Sequence, residues 1–389
     1  MMMEMKKKII LTVFIVFALL ATCGCTSNTE TGISVEDDDK VEETEAIEET
    51  DNFKWEYVSP EAENVDADAV DKIFSELDDE ILSSVVVRNG KIIGEYFADG
   101  YDENSVFSLQ SVSKSITGTL VGIAIDEGYI GSVDDYAKDY LSVLNEDKYK
   151  DKWGITIKEL LNHTSGLIST DSSIWVDWRC SSDWITYLLD EPLQHEPGTY
   201  FEYSTGNTHI LSAILEEVTG MSLMEYANKV LFKPLGITSA TLDDVSKGTY
   251  VKDENSLIDS SSFCTDPSGV SDGGNGFSMS SLDMARIGLL YVNKGMWQDK
   301  QIVSGEYIDE ATSIQAKRTS NGSCYGYCWW TNRIIGTNKY KGYFAQGYYG
   351  QFIFVVPDIE LVVVFTSNKQ SVSALDYQNL VGIIADGCN

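Results

Sequence analysis

Ser111 and Lys114 stand three positions apart in the stretch SLQSVSKSITGTLVGIAIDEG, residues 108 to 128. Ile116, Leu120, Ile123 and Ala124 recur at helical spacing, which places a helix start near Ser111 and Lys114 one turn along on the same side. A hydroxyl and an amine so placed can meet, and a neutral amine within hydrogen-bond reach takes the serine proton. The helix N-terminus favours the negative charge that then develops. The amine acts as a base only if desolvation or a neighbouring cation lowers its pKa. The plain alternative is a serine N-cap beside a solvated lysine. Against it, this is the only S-x-x-K in the chain, and it opens a helix carrying two small residues, Gly118 and Gly122.

Other residues invite chemistry and withstand it less well. Gly269-Val270-Ser271-Asp272-Gly273 satisfies G-x-S-x-G, yet no strand precedes it, no helix follows it, and no histidine occurs after His209 to complete a triad. His163, in NHTSGL, fits a structural hydrogen-bonding role better than a general base. Cys324 and Cys328 have a C-x3-C spacing, but CYGYCWW reads as a strand with two buried thiols on one face rather than a metal site. Trp175, Trp178 and Trp184 suit a cleft mouth or a core equally well.

The elements that must position these residues follow from the patterning. SSVVVRNGKIIGEYFADG has two apolar runs around Asn89-Gly90, a hairpin signal. Helical patterns dominate from about 111 to 313, and strand character returns in YGYCWWTNR, YKGYFAQG, GQFIFVVPD and ELVVVFTSN before a terminal helix, SALDYQNLVGIIADG. Strands at both ends with helices between predict an α+β fold: one antiparallel sheet from the N- and C-terminal strands with flanking helices, plus an inserted, mostly helical lobe. The cleft between the two lobes is the expected site.

Taken together, the hairpin, SVSK at 111 to 114, ITIKELLNHTSGL at 155 to 167, PGTYFEYSTGNTHILSAILEEVTG at 197 to 220, GGNGFSMSSLDMARIG at 273 to 288 and GYYGQFIFVVPDIELVVV at 347 to 364 resemble the serine β-lactamase and penicillin-binding-protein-like superfamily, within it the esterase and 6-aminohexanoate-dimer hydrolase branch. The resemblance implies a β-lactamase/transpeptidase-like fold and a serine hydrolase that works through an acyl-enzyme on Ser111, without metal or organic cofactor. It implies Tyr203 as the tyrosine facing the Ser111–Lys114 pair, backbone N–H groups of Ser111 and Tyr348 as an oxyanion hole, and Thr205, Asn207, Gln346 and Gly347 as substrate contacts. The implied substrate is a small molecule or short peptide. Two positions depart from the lactamase pattern: Thr205 stands where it has Asn, and Ala345-Gln346-Gly347 where it has a Lys- or His-led triplet. Lacking that cation, the site is expected to prefer uncharged esters or amides over β-lactams. An inactive peptide- or glycan-binding module of the same fold, and a true β-lactamase or D-Ala-D-Ala carboxypeptidase, are the alternatives.

The chain ends bound the setting. Lys6, Lys7 and Lys8 precede an apolar run from Ile9 to Ala21 and then Cys23 and Cys25, a pattern that reads as a signal peptide over 1–25 with a lipoprotein-type processing site, either cysteine taking the lipid. Residues 26–52 carry eleven acids against Lys40 and are expected to form a disordered tether, leaving 53–389 as the folded domain on the outer face of the bacterial cytoplasmic membrane. The net charge of -33 disfavours nucleic acid as a partner. Cys180, Cys264, Cys324, Cys328 and Cys388 are odd in number, which excludes a complete disulfide framework.

Overall fold

The computed structural model describes residues 53–242 and 265–388, so the expected signal peptide and tether lie outside the described residues. Along the chain the strands are β1 (Ile81–Arg88), β2 (Lys91–Phe97), β3 (Val106–Ser108), β4 (Ser278–Ser280), β5 (Met296–Trp297), β6 (Lys300–Gln301), β7 (Ala316–Lys317), β8 (Cys324–Tyr325), β9 (Trp330–Ile335), β10 (Tyr340–Gly347), β11 (Gln351–Val356) and β12 (Leu361–Ser367). The helices are α1 (Ala67–Ser75), α2 (Ser113–Asp126), α3 (Ile157–Leu161), α4 (Trp175–Cys180), α5 (Trp184–Asp190), α6 (Thr205–Thr219), α7 (Leu223–Ala227), α8 (Ser281–Val292), α9 (Gly305–Ala311) and α10 (Ala374–Asp386). No described helix is long and apolar enough to cross a membrane.

Asn89 and Gly90 both take positive φ (50° and 76°), the geometry that folds β1 back onto β2. The eight-stranded sheet runs β2-β1-β12-β11-β10-β9-β8-β7, so the first hairpin closes onto the last strand of the chain, with Val85 opposite Val364. Sheet residues alternate between two apolar layers, as a pleat with both faces covered requires. Val85, Val87, Ile353, Val355, Val362 and Val364 face α8, in an apolar cluster that continues into α2 and α6; Val86, Phe352, Phe354, Val363 and Phe365 share the opposite cluster with α1 and α10. The expected antiparallel sheet, flanking helices and intervening helical region are present.

The helical region shares its core with the sheet: one apolar cluster runs from the sheet through α2, α6 and α8 to Leu231 and Phe232. One detail of the sequence reading is corrected. CYGYCWW is not one strand: β8 ends at Tyr325, and Cys328 takes a positive φ of 60° in the connection to β9. Its backbone N–H donates to Leu161 O (3.0 Å) there. Cys324 and Cys328 are nonetheless both buried free thiols.

Helix α2 is buried along nearly all its length, from Ser113 to Ala124. Gly122 makes this burial sterically feasible, since a Cβ there would lie 2.4 Å from the Tyr307 ring. Gly122→Leu is therefore expected to destabilise the fold by about 1–3 kcal/mol, the usual cost of overpacking, measured as a lower urea midpoint at unchanged slope.

Candidate active site

Between β3 and α2 the chain makes a 3-10 turn over Gln110–Val112, and Val112, not Ser111, occupies the helix N-cap position, with no capping hydrogen bond. The N-cap reading of Ser111 is thereby excluded. Gln110 takes a left-handed φ of 51°, a conformation that costs a non-glycine residue on the order of 1–3 kcal/mol, and donates through Nε2 to Ser108 Oγ (2.7 Å). The turn leaves Ser111 lining a cleft of about 1170 Å³, while α2 carries Lys114 into the interior, where it has no exposed surface.

Lys114 Nζ donates to Ser111 Oγ (2.9 Å) and to Gly274 O (2.9 Å), and lies 5.1 Å from the Tyr203 ring centroid. Burial pushes the amine below its usual pKa, against the opposing pull of Asp171 and Asp272. Ser111 Oγ in turn donates to Asn275 Oδ1 (3.3 Å). Gly274 and Asn275 are held by Asp272, whose Oδ1 accepts both backbone N–H groups (3.1 Å each) and whose Oδ2 accepts from Arg179 Nη1 (2.7 Å) in a fully buried pair. The G-x-S-x-G run is thus a structural loop: its Ser271 hydroxyl donates to Glu216, and its Asp272 shapes the segment that receives Lys114. Cys328 sits near Lys114 without competing for catalysis, because burial pushes its thiol up to about 12.

Tyr203 is held in a ring of aromatics. Its ring stacks on Trp330 (5.9 Å between centroids, 15° between planes) and lies 4.9 Å from His163 and 6.1 Å from Tyr325. Burial, reinforced by Asp171 and opposed by the nearby Ser111 hydroxyl, keeps the Tyr203 phenol protonated by holding its pKa well above the usual range. His163 is fully buried, and its Nδ1 accepts the Ser204 backbone N–H (3.0 Å), which leaves the proton on Nε2. Burial and the neighbouring Lys114 amine push its pKa well below the usual imidazole value. The ring is a neutral wedge that fixes the segment bearing Tyr203.

The turns that carry Ser111 and Tyr348 meet beside the cleft. Ser111 lies in the Gln110–Val112 turn and Tyr348 opens a second 3-10 turn, Tyr348–Gly350, positions whose N–H groups have no partner within the turn. Strand β10 meets the serine turn closely, because a Cβ on Gly347 would lie 2.2 Å from Leu109 O. Tyr349 takes a positive φ of 63°, so a left-handed residue borders each of the two N–H donors.

The cleft brings together Ser111, Tyr203, Gln346, Gly347 and Tyr348 among the residues expected from the sequence. Thr205 and Asn207, expected to touch substrate, do not line it. Helix α6 begins at Thr205 and turns both side chains inward: Thr205 donates to Asp171 through its backbone N–H (2.5 Å) and hydroxyl (3.1 Å), and Asn207 Oδ1 accepts from Ser165 (2.8 Å). Trp175 lines the cleft, whereas Trp178 and Trp184 are core, 4.8 Å apart, with the Arg179 guanidinium 4.1 Å from Trp184. Sequence reasoning missed Asp171, Asn275, Arg318 and Arg333, all of which line the cleft. The two arginines also correct the expectation of a site without a cation. Ala345 is indeed apolar and buried, but the positive charges enter from β9 and from the loop after β7, beyond the reach of a motif on β10. Among the described residues, no cluster of His, Cys, Asp or Glu has a metal-binding arrangement.

A mixed α/β architecture with a large antiparallel sheet, and a buried lysine bonded to a cleft serine at its edge, define a hydrolase-type fold. The beta-lactamase family model matches residues 70–382, and the chain belongs to that family. The 6-aminohexanoate-dimer hydrolase of Paenarthrobacter ureafaciens is 24% identical over 305 residues, covering 73% of this chain and 71% of the relative. The crystal structure of a family VIII carboxylesterase superposes with a TM-score of 0.66 at 17% identity, covering 86% of this chain and 99% of that one. The octameric penicillin-binding protein homologue from Pyrococcus abyssi gives 0.61 at 21% identity, over 80% and 74% of the two chains.

The buried amine generates a stability prediction with a definite sign. A lysine whose folded pKa is lowered costs stability most fully at pH below that folded value, and the cost vanishes as pH rises through the ordinary 10.5. Lys114→Met is expected to raise the thermal midpoint at pH 6 and to raise it less at pH 10. An equal gain at both pH values would contradict a depressed Lys114 pKa.

Proposed function

We propose that this protein is a serine hydrolase that cleaves esters or amides through an acyl-enzyme on Ser111. The observation that carries the reading is the fully buried Lys114 amine 2.9 Å from the Ser111 hydroxyl. In its neutral form Lys114 takes the proton as Ser111 Oγ attacks the carbonyl carbon, and the oxyanion is received by the N–H groups of Ser111 and Tyr348. The proton returns to the leaving oxygen or nitrogen through the Tyr203 hydroxyl as the carbonyl–leaving-group bond breaks. Water then attacks the acyl carbon, losing its proton along the same route, and Ser111 is released. Asn275 orients the resting serine hydroxyl. The relatives named for hydrolysing 6-aminohexanoate dimer and carboxylic esters support an ester or amide substrate.

A fluorophosphonate probe and 4-nitrophenyl acetate test this reading. The wild type is expected to be labelled and to turn over the ester, and Ser111→Ala to do neither. Lys114→Ala and Tyr203→Phe are each expected to lower turnover about 10²- to 10⁴-fold, with losses that do not add because the groups act as one unit. Absence of labelling in the folded wild type would favour a binding module without turnover. Turnover of a penicillin faster than every ester and amide tried would restore the β-lactamase alternative.

The proposal extends to location: a lipid on Cys23 or Cys25 tethers the domain outside the cytoplasmic membrane. This rests on the basic residues, short apolar run and cysteines of the N-terminus. In a bacterial host, palmitate is expected to label the full chain and to be lost when both cysteines are replaced by serine; labelling that persists would remove the tether.

A further inference from the structure

Tyr377, in the first turn of α10, is buried, and its hydroxyl oxygen is removed from water without a hydrogen bond to any described residue. The Ser367 hydroxyl stands beside it without the geometry of a bond. A buried phenol left unpartnered is costly, and a phenylalanine would fill the ring's place without that cost. What the oxygen meets is the turn that carries Tyr348: a Cβ on Gly350 would lie 2.6 Å from Tyr377 Oη and 2.9 Å from Ser367 Oγ. Both hydroxyls are fixed. The Tyr377 ring packs on Phe352 of β11 (4.5 Å between centroids) and Phe365 of β12 (5.2 Å). Ser367 Oγ accepts the Lys369 N–H (3.0 Å), and Ser367 O accepts from Gln351 Nε2 (2.6 Å), which ties the residue after Gly350 to the end of β12. Burial raises the Tyr377 pKa, so the hydroxyl stays neutral.

We propose that Tyr377 is a positioning residue for the reaction: its hydroxyl, with that of Ser367, props the Tyr348–Gly350 turn from the α10 side of the sheet and so sets the aim of the Tyr348 N–H at the oxyanion. This rests on the hydrolase reading above and adds to it a residue that touches neither substrate nor Ser111. The turn needs such support. Tyr349 and Gly350 take successive left-handed φ values of 63° and 88°, and the first is strained for a tyrosine. Tyr348 opens the same three-residue turn, so a backbone rotation at either residue would tilt the peptide that carries its N–H. Ala374, one turn before Tyr377 on α10, lines the catalytic cleft, so the start of this helix reaches from the cleft to the underside of the turn. Tyr377 also borders a separate cavity of about 490 Å³, with Lys72, Asp78 and Lys369, which leaves the packing there less complete than in the rest of the core. The oxygen of Tyr377 therefore bears on Gly350 from a ring held by Phe352 and Phe365, and a small change in that oxygen is transmitted to the turn.

Tyr377→Phe tests the prop by removing the oxygen alone. Because that oxygen makes no hydrogen bond, the urea midpoint is expected to be unchanged or higher. Turnover of 4-nitrophenyl acetate is expected to fall about tenfold, short of the roughly 10²- to 10³-fold cost of deleting an oxyanion donor, with kcat and kcat/KM lowered alike and KM unchanged. A wild-type kcat, a change confined to KM, or a loss accompanied by a lower urea midpoint overturns the prop. Gly350→Ala gives a second reading. Its left-handed strain is the same in either background, but its methyl meets the phenol oxygen only where Tyr377 is intact. It should therefore lower kcat by a factor about threefold smaller in Tyr377→Phe than in wild type, and equal factors overturn the contact. Hydrogen exchange read by mass spectrometry separates the prop from the hydrolase reading. The amides of 348–351 are expected to exchange about tenfold faster in Tyr377→Phe, with α2 and β12 unchanged. Faster exchange confined to the turn upholds the prop even if no ester is cleaved; unchanged exchange in a protein that cleaves esters leaves the hydrolase standing and removes the prop.

Discussion

The Lys114 amine, wholly removed from water and bonded to one serine hydroxyl and one carbonyl, is the constraint around which the rest of the site is arranged. A buried ammonium is expensive, and burial accordingly lowers the Lys114 pKa, shifting the amine toward the neutral form that is able to take a proton. Every element near it serves the burial. Helix α2 carries Lys114 into a core shared by sheet and helices, Gly122 yields space to Tyr307, and the loop pinned by the Arg179–Asp272 pair presents Gly274 O at 2.9 Å. His163, neutral beside the amine, adds no second charge.

The same arrangement separates two roles by depth. Lys114 is deep and Ser111 borders the cleft, so the hydroxyl is open to a ligand while the amine is shielded from water. The serine turn is packed against the end of β10, and the sheet can hold β10 there because its own order closes the first hairpin onto the last strand. Fold stability and site geometry are therefore linked through contacts too close to admit a side chain at Gly347. Gln110 in the serine turn and Tyr349 in the turn after β10 both take left-handed φ, so the backbone departs from low-energy conformations in each of the two turns.

Much of this was legible in the sequence because it depends on local patterns. Apolar runs disclosed β1, β11 and β12, Asn89-Gly90 disclosed the first turn, and the helical spacing after Ser111 placed Lys114 on the serine's side. What was not legible depends on side chains meeting across long separations. Asn275 lies 164 positions from the serine whose hydroxyl it accepts, within a glycine-rich run that carries no periodic signal. Arg333 and Arg318 reach the cleft from β9 and a hairpin loop, so inspecting β10 for a cation found only Ala345. Thr205 and Asn207 were misplaced for a related reason: a motif gives their order after Tyr203, but the start of α6 decides that they turn inward.

The central claim is that burial lowers the Lys114 pKa and so makes the neutral amine available to Ser111. Nitrogen-15 NMR of the lysine side chains, with Lys114 assigned by comparison with Lys114→Met, measures this directly in the intact domain. The Lys114 Nζ resonance is expected to titrate clearly below the ordinary lysine value of 10.5, with the other lysines near or above it. A Lys114 that titrates at or above 10.5 would contradict the account, because the amine would then be a permanent cation beside Ser111 and could not receive its proton.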